Sequence, residues 1–374
     1  MAPRAPAVQE IEALPEADRL DEFPHPRQTP TLFGHAGIEA EMAQAMAGGR
    51  MHHAWLLAGR EGIGKATLAY RLARHVLARP EERDPLGQRL EVAAATTAAR
   101  QVGALSHPEL LVLRRLYDTR TKRFSTGIPV DEVRRLKSFL GLTAGDGAWR
   151  VVIVDAADDL NINAANALLK SLEEPPPRAL FLLVSSEPSR LLPTIRSRSR
   201  RLDLSPLGSE PLRRAVSAAL SAADQELPSD QDWVRLERLA KGSVRRALQL
   251  AASGGLELHA RIEGLLKGLP HVDWPAAHAL SDQLAVGANE QRFEAFYDLL
   301  LDTLARLACM RAKGQGGAHE RALAEQLIPE HRLPAWAALW EQLLRDKNEA
   351  QELNLDKKAL ILGAIARLEA VARG

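Results

Sequence analysis

The segment that most restricts the fold of this chain is GREGIGKAT, which runs from Gly59 to Thr67. The apolar run HAWLLAG ends on its first glycine and predicts a short buried strand, and apolar residues at helical spacing follow from Lys65 onward. The order strand, glycine turn, helix is typical of loops whose backbone amides surround phosphate groups at the positive end of a helix. The segment therefore predicts an α/β domain with a phosphate-binding loop.

The loop fits the pattern G-x-x-x-x-G-K but departs from it at the next position. In the full pattern a Ser or Thr hydroxyl follows the lysine and binds magnesium, whereas this chain has Ala66. Thr67 comes one residue late, which turns its side chain by about 100° at ~3.6 residues per turn. We therefore expect no metal and no required cofactor, and leave weak binding of ATP or ADP open. The candidate nucleotide-contacting residues of the loop are Gly59, Gly62, Gly64 and Lys65.

A second apolar run, VVIVDAADD, predicts a buried strand that ends at Asp155. An acid at this place can bind magnesium or its water beside the phosphate loop. Nucleotide hydrolases of this kind usually have a Glu next, which orients the attacking water, but this chain has Ala156. We interpret Asp158 and Asp159 as caps of the helix that follows. Because the magnesium hydroxyl and the catalytic carboxylate are both missing, we predict that this chain does not hydrolyse ATP.

The remaining pattern predicts a parallel sheet followed by helices. Buried strands without period-two alternation alternate with amphipathic helices up to about residue 205, which favours a sheet covered on both faces. From residue 206 the strand signals fade. We divide the chain into an α/β domain at 1–205, whose first 25 or so residues are loosely ordered, a helical lid at 206–254 and an all-helical collar at 255–374. Further strands are predicted at 109–116, 179–186 and 200–204.

Composition excludes several classes of protein. The 49 basic and 48 acidic residues give a net charge of +1, so any contact with nucleic acid would have to be local. The single cysteine, Cys309, excludes a cysteine-rich zinc site and is expected to be a small core residue on a packed helix. We see no secretory signal and no run long enough to span a membrane, so we expect a cytoplasmic protein that does not bind membranes.

The chain resembles the clamp-loader branch of AAA+ ATPases over roughly residues 25–250. The resemblance rests on four segments: HAWLLAGREGIGKATLA, NALLKSLEEPPP, FLLVSSEPSRLLPTIRSRSR and GSVRRAL. It implies an AAA+ fold with a lid and a collar. It also implies that Arg198, in Ser197–Ser199, is an arginine finger that reaches ATP on a neighbouring subunit. Ser185 or Ser186 would then take the sensor 1 position, and Arg245 the sensor 2 position.

The resemblance also implies partners. These are the gamma/tau and delta subunits of bacterial DNA polymerase III and, through the assembled complex, the sliding clamp and primer-template DNA. The chain would then be a component of a nucleotidyltransferase holoenzyme without catalysis of its own. The departures at Ala66 and Ala156 match members of the branch that are inert toward ATP. Many relatives carry four zinc-binding cysteines at about residues 79–106, where this chain has none, so we expect no zinc.

Three alternatives stay open from sequence. The first is an active clamp-loader ATPase of the gamma/tau type, which Ala66 and Ala156 disfavour. The second is a P-loop kinase, which would need a working magnesium site and a lid over its substrate. The third is a protein that binds DNA directly, and its near-neutral charge predicts weak binding.

Overall fold

The structure is a computed structural model, and it describes residues 14–20, 22–84, 86–141, 148–252, 254–285, 290–314, 318–353 and 355–374. The chain forms two compact units, Met1–Leu248 and Gln249–Gly374. The three-part division stays a prediction.

The first unit is built on a five-stranded sheet in which every pairing is parallel. The spatial order of its strands is β2-β5-β6-β1-β7. Because the strands are parallel, their carboxyl ends share one edge, and the phosphate loop follows β1 at that edge. The five strands are β1 (Ala54–Ala58), β2 (Leu110–Leu113), β5 (Arg150–Asp155), β6 (Ala179–Ser185) and β7 (Arg200–Asp203). A separate antiparallel hairpin consists of β3 (Tyr117–Asp118) and β4 (Arg123–Phe124).

Helices cover both faces of this sheet, which explains why its central strands are apolar throughout. Alternate residues of β1 point to opposite sides. Trp55 and Leu57 pack with the helix at Lys65–Leu77, while Ala54 and Leu56 pack with the helices at Val130–Gly141 and Ile162–Glu173. The predicted parallel α/β architecture is therefore correct. The helices of this unit up to the lid are α1 (Ala36–Ala47), α2 (Lys65–Leu77), α3 (Thr97–Gly103), α4 (Val130–Gly141), α5 (Ile162–Glu173) and α6 (Pro193–Arg198).

The segment predicted as the lid, 206–254, contains α7 (Ser209–Ala222), α8 (Asp230–Ala240) and α9 (Val244–Ala252), and the boundary between the two units falls within α9. The second unit is helical in the residues that the structure describes, as predicted. Tyr297 is fully buried there and donates a hydrogen bond to the carbonyl of Leu360. Its remaining helices are α10 (Gly255–Gly268), α11 (Trp274–Ala285), α12 (Glu290–Lys313), α13 (Ala318–Leu327), α14 (Leu333–Leu353) and α15 (Lys357–Arg373).

Two expectations from sequence differ from the structure. Cys309 is exposed on α12, so the prediction that it packs in the core is wrong. The first 25 or so residues were expected to be loosely ordered, but buried charges hold their described part, residues 14–20 and 22–25. Asp18 Oδ2 lies 2.9 Å from His25 Nε2, and Asp18 Oδ1 lies 3.0 Å from Arg114 Nη1. Residues 1–13 lie outside the described part of the chain.

In the described part of the chain, we find no helix that is both long and apolar enough to cross a bilayer.

Candidate functional site

A cavity of about 630 Å³ lies at the carboxyl edge of the sheet, between the phosphate loop, the N-terminal segment and the lid. The sequence-predicted residues Gly62, Gly64, Lys65, Asp155 and Arg245 all line it. Gly59 forms the base of the same loop, because its carbonyl accepts a hydrogen bond from Lys65. The fold therefore brings the predicted nucleotide-contacting residues together.

The three loop glycines have positive φ angles of 146°, 75° and 104° at Gly59, Gly62 and Gly64. At Gly62 the requirement is steric as well as conformational. A Cβ there would lie 2.4 Å from Ser243 Oγ and 2.5 Å from Arg245 Cβ. The turn at Gly62 is thus closed against the lid, which leaves room for hydrogen only.

Lys65 is buried and bonded to its own loop. Its ammonium group donates to the carbonyls of Gly59 at 2.7 Å and Arg60 at 2.6 Å, and to Ser186 Oγ at 3.0 Å. Burial lowers the pKa of Lys65 to about 8, although the nearby carboxylate of Asp155 acts in the opposite direction. A phosphate entering the loop would have to replace these contacts.

Asp155 is buried at the end of β5, and its Oδ2 has no hydrogen-bond partner among the described residues. Burial, together with the charge of Asp18, raises the pKa of Asp155 to about 7. The charges of Lys65 and Arg245 act against this rise. An unpartnered buried carboxylate fits a hydrated cation, but Ala66 supplies no second ligand on the loop side. The loop and Lys65 thus offer hydrogen-bond donors that fit a phosphate group, whereas the set of oxygen ligands for magnesium is incomplete. Among the described residues, here and elsewhere, no group of three His, Cys, Asp or Glu residues is placed to hold a metal.

Formal charge in the cavity is acidic overall. Six acids face four bases there, which opposes the entry of a triphosphate that lacks a metal. The acids are Asp18, Glu61, Asp155, Asp158, Asp159 and Glu187, and the bases are Lys65, Arg115, Arg190 and Arg245.

The two acids that follow the strand do not cap the next helix, so that interpretation is wrong. Asn161 is the cap of α5, and its side chain accepts a hydrogen bond from the amide of Ala164. Asp158 instead accepts from Ser185 Oγ at 2.5 Å and from the amide of Ser186 at 2.6 Å. It therefore joins the ends of β5 and β6 beside Lys65. Asp159 pairs with Arg115 at 3.0 Å.

The lid contacts the phosphate loop directly. The carbonyl of Gly62 accepts hydrogen bonds from the amides of Val244 at 2.8 Å and Arg245 at 3.4 Å. Arg245 Nε also lies 3.2 Å from Glu61 Oε1. The predicted sensor 2 arginine thus faces the loop, paired with a loop acid. On the opposite side, His35 Nε2 lies 2.8 Å from the carbonyl of Ile63. Sequence patterns gave no signal for either His35 or Glu61.

Arg198 lies apart from the other predicted residues. It is the last residue of α6 and is not among the residues that line the described cavity. Its Nη2 lies 2.9 Å from Glu173 Oε1 at the end of α5, and its Nη1 donates to the carbonyl of Thr194 at 3.2 Å. The side chain is 37% exposed. The side chain is therefore accessible to another molecule and lies outside the lining of the chain's own cavity.

Comparisons with known proteins agree with this architecture. A family model described as DNA polymerase III, delta subunit, matches residues 34–208. The delta′ subunit of DNA polymerase III from Pseudomonas aeruginosa is 32% identical over 84% of this chain and 91% of its own length. The delta′ subunit from Escherichia coli is 32% identical over 69% and 71% of the two chains. The tau subunit of Escherichia coli is 27% identical over 82% of this chain, which spans 44% of that subunit.

Proposed function

Because the chain belongs to the family of DNA polymerase III delta′ subunits, we propose that it is the ATP-inert member of the clamp loader. In this role it assembles with gamma/tau and delta subunits and helps the complex to place the sliding clamp on primed DNA. It contributes Arg198 to a neighbouring ATP site and carries out no hydrolysis itself. The similarity to tau subunits makes an active gamma/tau-type motor the second candidate, and the lower identity to them supports it less.

The observation that carries this proposal is the composition of the cavity. Ala66 and Ala156 line it at the places where a magnesium hydroxyl and a catalytic carboxylate would be needed. Lys65 meanwhile is bonded to the carbonyls of its own loop. The excess of acids adds an unfavourable charge for a metal-free triphosphate. These features support a nucleotide loop that has kept its backbone shape and lost the groups that hydrolysis requires.

Arg198 supports the second half of the proposal by its exposure and its place. A guanidinium that stabilises charge on a phosphoryl group must reach that group from outside the chain's own site when it acts in trans. Arg198 is at the end of a short helix, separate from the cavity and half-exposed. In GTPase systems an arginine supplied in trans increases the rate by about 10³ to 10⁵.

The test is the ATPase rate of the complex reconstituted from this chain and the gamma/tau and delta subunits of its own organism, with clamp and primed DNA present. We expect Arg198→Ala to leave assembly intact and to lower that rate strongly at the sites that this chain contacts. Arg196→Ala is the matched control, because Arg196 is exposed on the same helix. An Arg198→Ala complex that hydrolyses ATP at the wild-type rate would refute the role in trans.

A separate measurement distinguishes the two candidates. We expect the isolated chain to show no magnesium-dependent ATP turnover. Sustained turnover that Lys65→Ala abolishes would identify an active motor instead. Equilibrium dialysis with labelled ATP and ADP then decides whether the loop binds nucleotide weakly or not at all.

A further inference from the structure

The hairpin formed by β3 and β4 is a feature that the function described above does not use. It follows β2, the strand at one edge of the sheet, and its base is fixed by several contacts. Tyr117 and Phe124 pack edge to face across the two strands, with ring centroids 5.2 Å apart. The guanidinium of Arg115 lies over Phe124 at 5.9 Å while it pairs with Asp159. The hairpin therefore has a well-anchored base.

The turn at its tip is also defined by specific contacts. The carboxylate of Asp118 accepts hydrogen bonds from the amides of Arg120 at 2.8 Å and Thr121 at 3.3 Å. These bonds hold the pKa of Asp118 below its ordinary value. Lys122 adopts the left-handed conformation, with φ of 53°, which is uncommon for a residue other than glycine. All residues of the tip, 118–123, are exposed.

The cationic side chains of this tip differ from those of helix α4 in their ion pairing. Arg120, Lys122 and Arg123 form no ion pair with any residue that the structure describes. On α4, by contrast, Arg134 pairs with Asp131 at 2.7 Å and Arg135 with Glu132 at 2.6 Å. The carboxylate of Asp118 is already engaged by two amides. Three like charges within four residues repel one another, so folding alone does not explain their presence.

We propose that this tip, residues 118–123, is a contact surface for the phosphate backbone of nucleic acid. Its exposed side chains between Asp118 and Phe124 are Thr, Arg, Thr, Lys and Arg. These are the residue types that bind phosphate oxygens without reading bases. A protein interface of comparable size would need an apolar or aromatic centre, and residues 118–123 contain no apolar side chain. Because the net charge of the whole chain is only +1, the attraction to phosphate would come from this local cluster of cations.

This inference rests on the proposed function, because the proposed clamp loader is the complex in which this chain would meet primed DNA. The decisive experiment is binding of a fluorescein-labelled primed template to the complex, followed by anisotropy over a salt series from ~50 to ~200 mM. Each duplex phosphate contact contributes about 0.9 to the slope of log K against log salt. We expect Arg120→Gln with Arg123→Gln to reduce this slope by about 1 to 2 and to weaken binding roughly tenfold at the low end of the series.

The matched control is Arg261→Gln with Arg345→Gln, which makes the same charge change on exposed, ion-paired arginines of the second unit. We expect it to leave both slope and affinity unchanged. An unaltered slope for the hairpin variant would overturn the proposal. The proposal would also be overturned if the hairpin variant bound DNA as well as wild type but lost gamma/tau or delta on gel filtration, because the tip would then be a contact surface for a protein.

Failure of the proposed function gives a different result. If the wild-type chain does not co-elute with the gamma/tau and delta subunits, the clamp-loader assignment fails. The same salt series is then carried out with the full chain alone. The difference in slope between the wild-type chain and the Arg120→Gln, Arg123→Gln variant still decides the inference.

Discussion

Glu173 and Arg198 form an ion pair that joins the last residues of two neighbouring helices, with 2.9 Å between Oε1 and Nη2. The carboxylate is 47% exposed and the guanidinium 37%. Pairs as exposed as this contribute about 0.2 to 1 kcal/mol. The contact is therefore strong enough to orient the guanidinium and weak enough to yield to a phosphate.

From this pair we predict that Glu173→Gln lowers the ATPase rate of the assembled complex by at most about fivefold, which corresponds to the strength of such a pair. The variant keeps the shape of the side chain but frees the guanidinium to sample more rotamers. Steady-state ATP hydrolysis checks this result, with Glu174→Gln as the control on the adjacent exposed carboxylate. In the Arg198→Ala background we expect Glu173→Gln to have no further effect. An additional loss there would mean that Glu173 acts by another route.

The contact between lid and loop leads to a second prediction. Gly62→Ala would place a methyl group against Ser243 and Arg245 at a backbone φ of 75°. The left-handed conformation costs about 1 to 2 kcal/mol, and crowding of this kind adds about 1 to 3. We expect a lower urea midpoint and faster hydrogen exchange at the amides of Val244 and Arg245.

Gly264→Ala is the control for that measurement, because nothing lies within 4 Å of a Cβ at this exposed helical position. We expect it to leave the chain as stable or slightly more stable. Unchanged exchange at Val244 in the Gly62→Ala protein would contradict the view that the lid is held by the turn at Gly62.

Sequence patterns predicted those features of the fold that depend on residues close together in the chain. The strand, loop and helix around Lys65 follow from local composition, as does the position of Asp155 at a strand end. The pattern could not reveal what Asp158 binds, because its partners Ser185 and Ser186 are about 27 residues away and meet it only through the sheet. Asn161, three residues later, caps the helix instead, and Asp158 accepts hydrogen bonds from Ser185 and Ser186.

Two further differences have a similar physical origin. The apolar spacing around Cys309 predicts a helix. It does not determine whether this one position faces the core or the solvent, and Cys309 is exposed. The N-terminal segment is polar, which predicts loose chain. Its acids instead meet Arg114 at the end of β2, almost 100 residues away in sequence. The two-residue strands of the hairpin are too short to show any period.

The buried carboxylate predicts a dependence of stability on pH. Asp155 titrates near pH 7 in the folded chain and near 3.8 when unfolded. Between these values the folded state holds a proton that the unfolded state has lost, so this group lowers stability as the pH rises from about 4 to 7. We expect Asp155→Asn to remove that component, so that the variant gains stability relative to wild type between pH 5 and pH 8. Urea unfolding at the two values measures the difference. An equal difference at both would show that Asp155 is ionised throughout.

The last prediction concerns the buried charges that hold the N-terminal segment. Asp18 contacts His25 at 2.9 Å and Arg114 at 3.0 Å. Burial alone would raise the pKa of Asp18, but the hydrogen bond and charge of His25, together with the charge of Arg114, hold it below its ordinary value. Asp18→Asn removes a buried carboxylate that pairs with Arg114, and breaking a buried ion pair typically costs about 3 to 5 kcal/mol.

We expect this loss to release the segment from α2, so that trypsin cleaves the variant at Arg19 and Arg27 while the rest of the first unit stays resistant. The lowered pKa means that the wild-type contact stabilises the chain above pH ~3.8 and is lost as the pH falls further. The variant should therefore show its deficit at pH 7 and approach wild type in acid. Asp131→Asn, in an exposed pair with Arg134, is the control and should change stability by no more than about 0.5 kcal/mol. A tryptic pattern of Asp18→Asn identical to that of Asp131→Asn would show that the segment is held by other contacts.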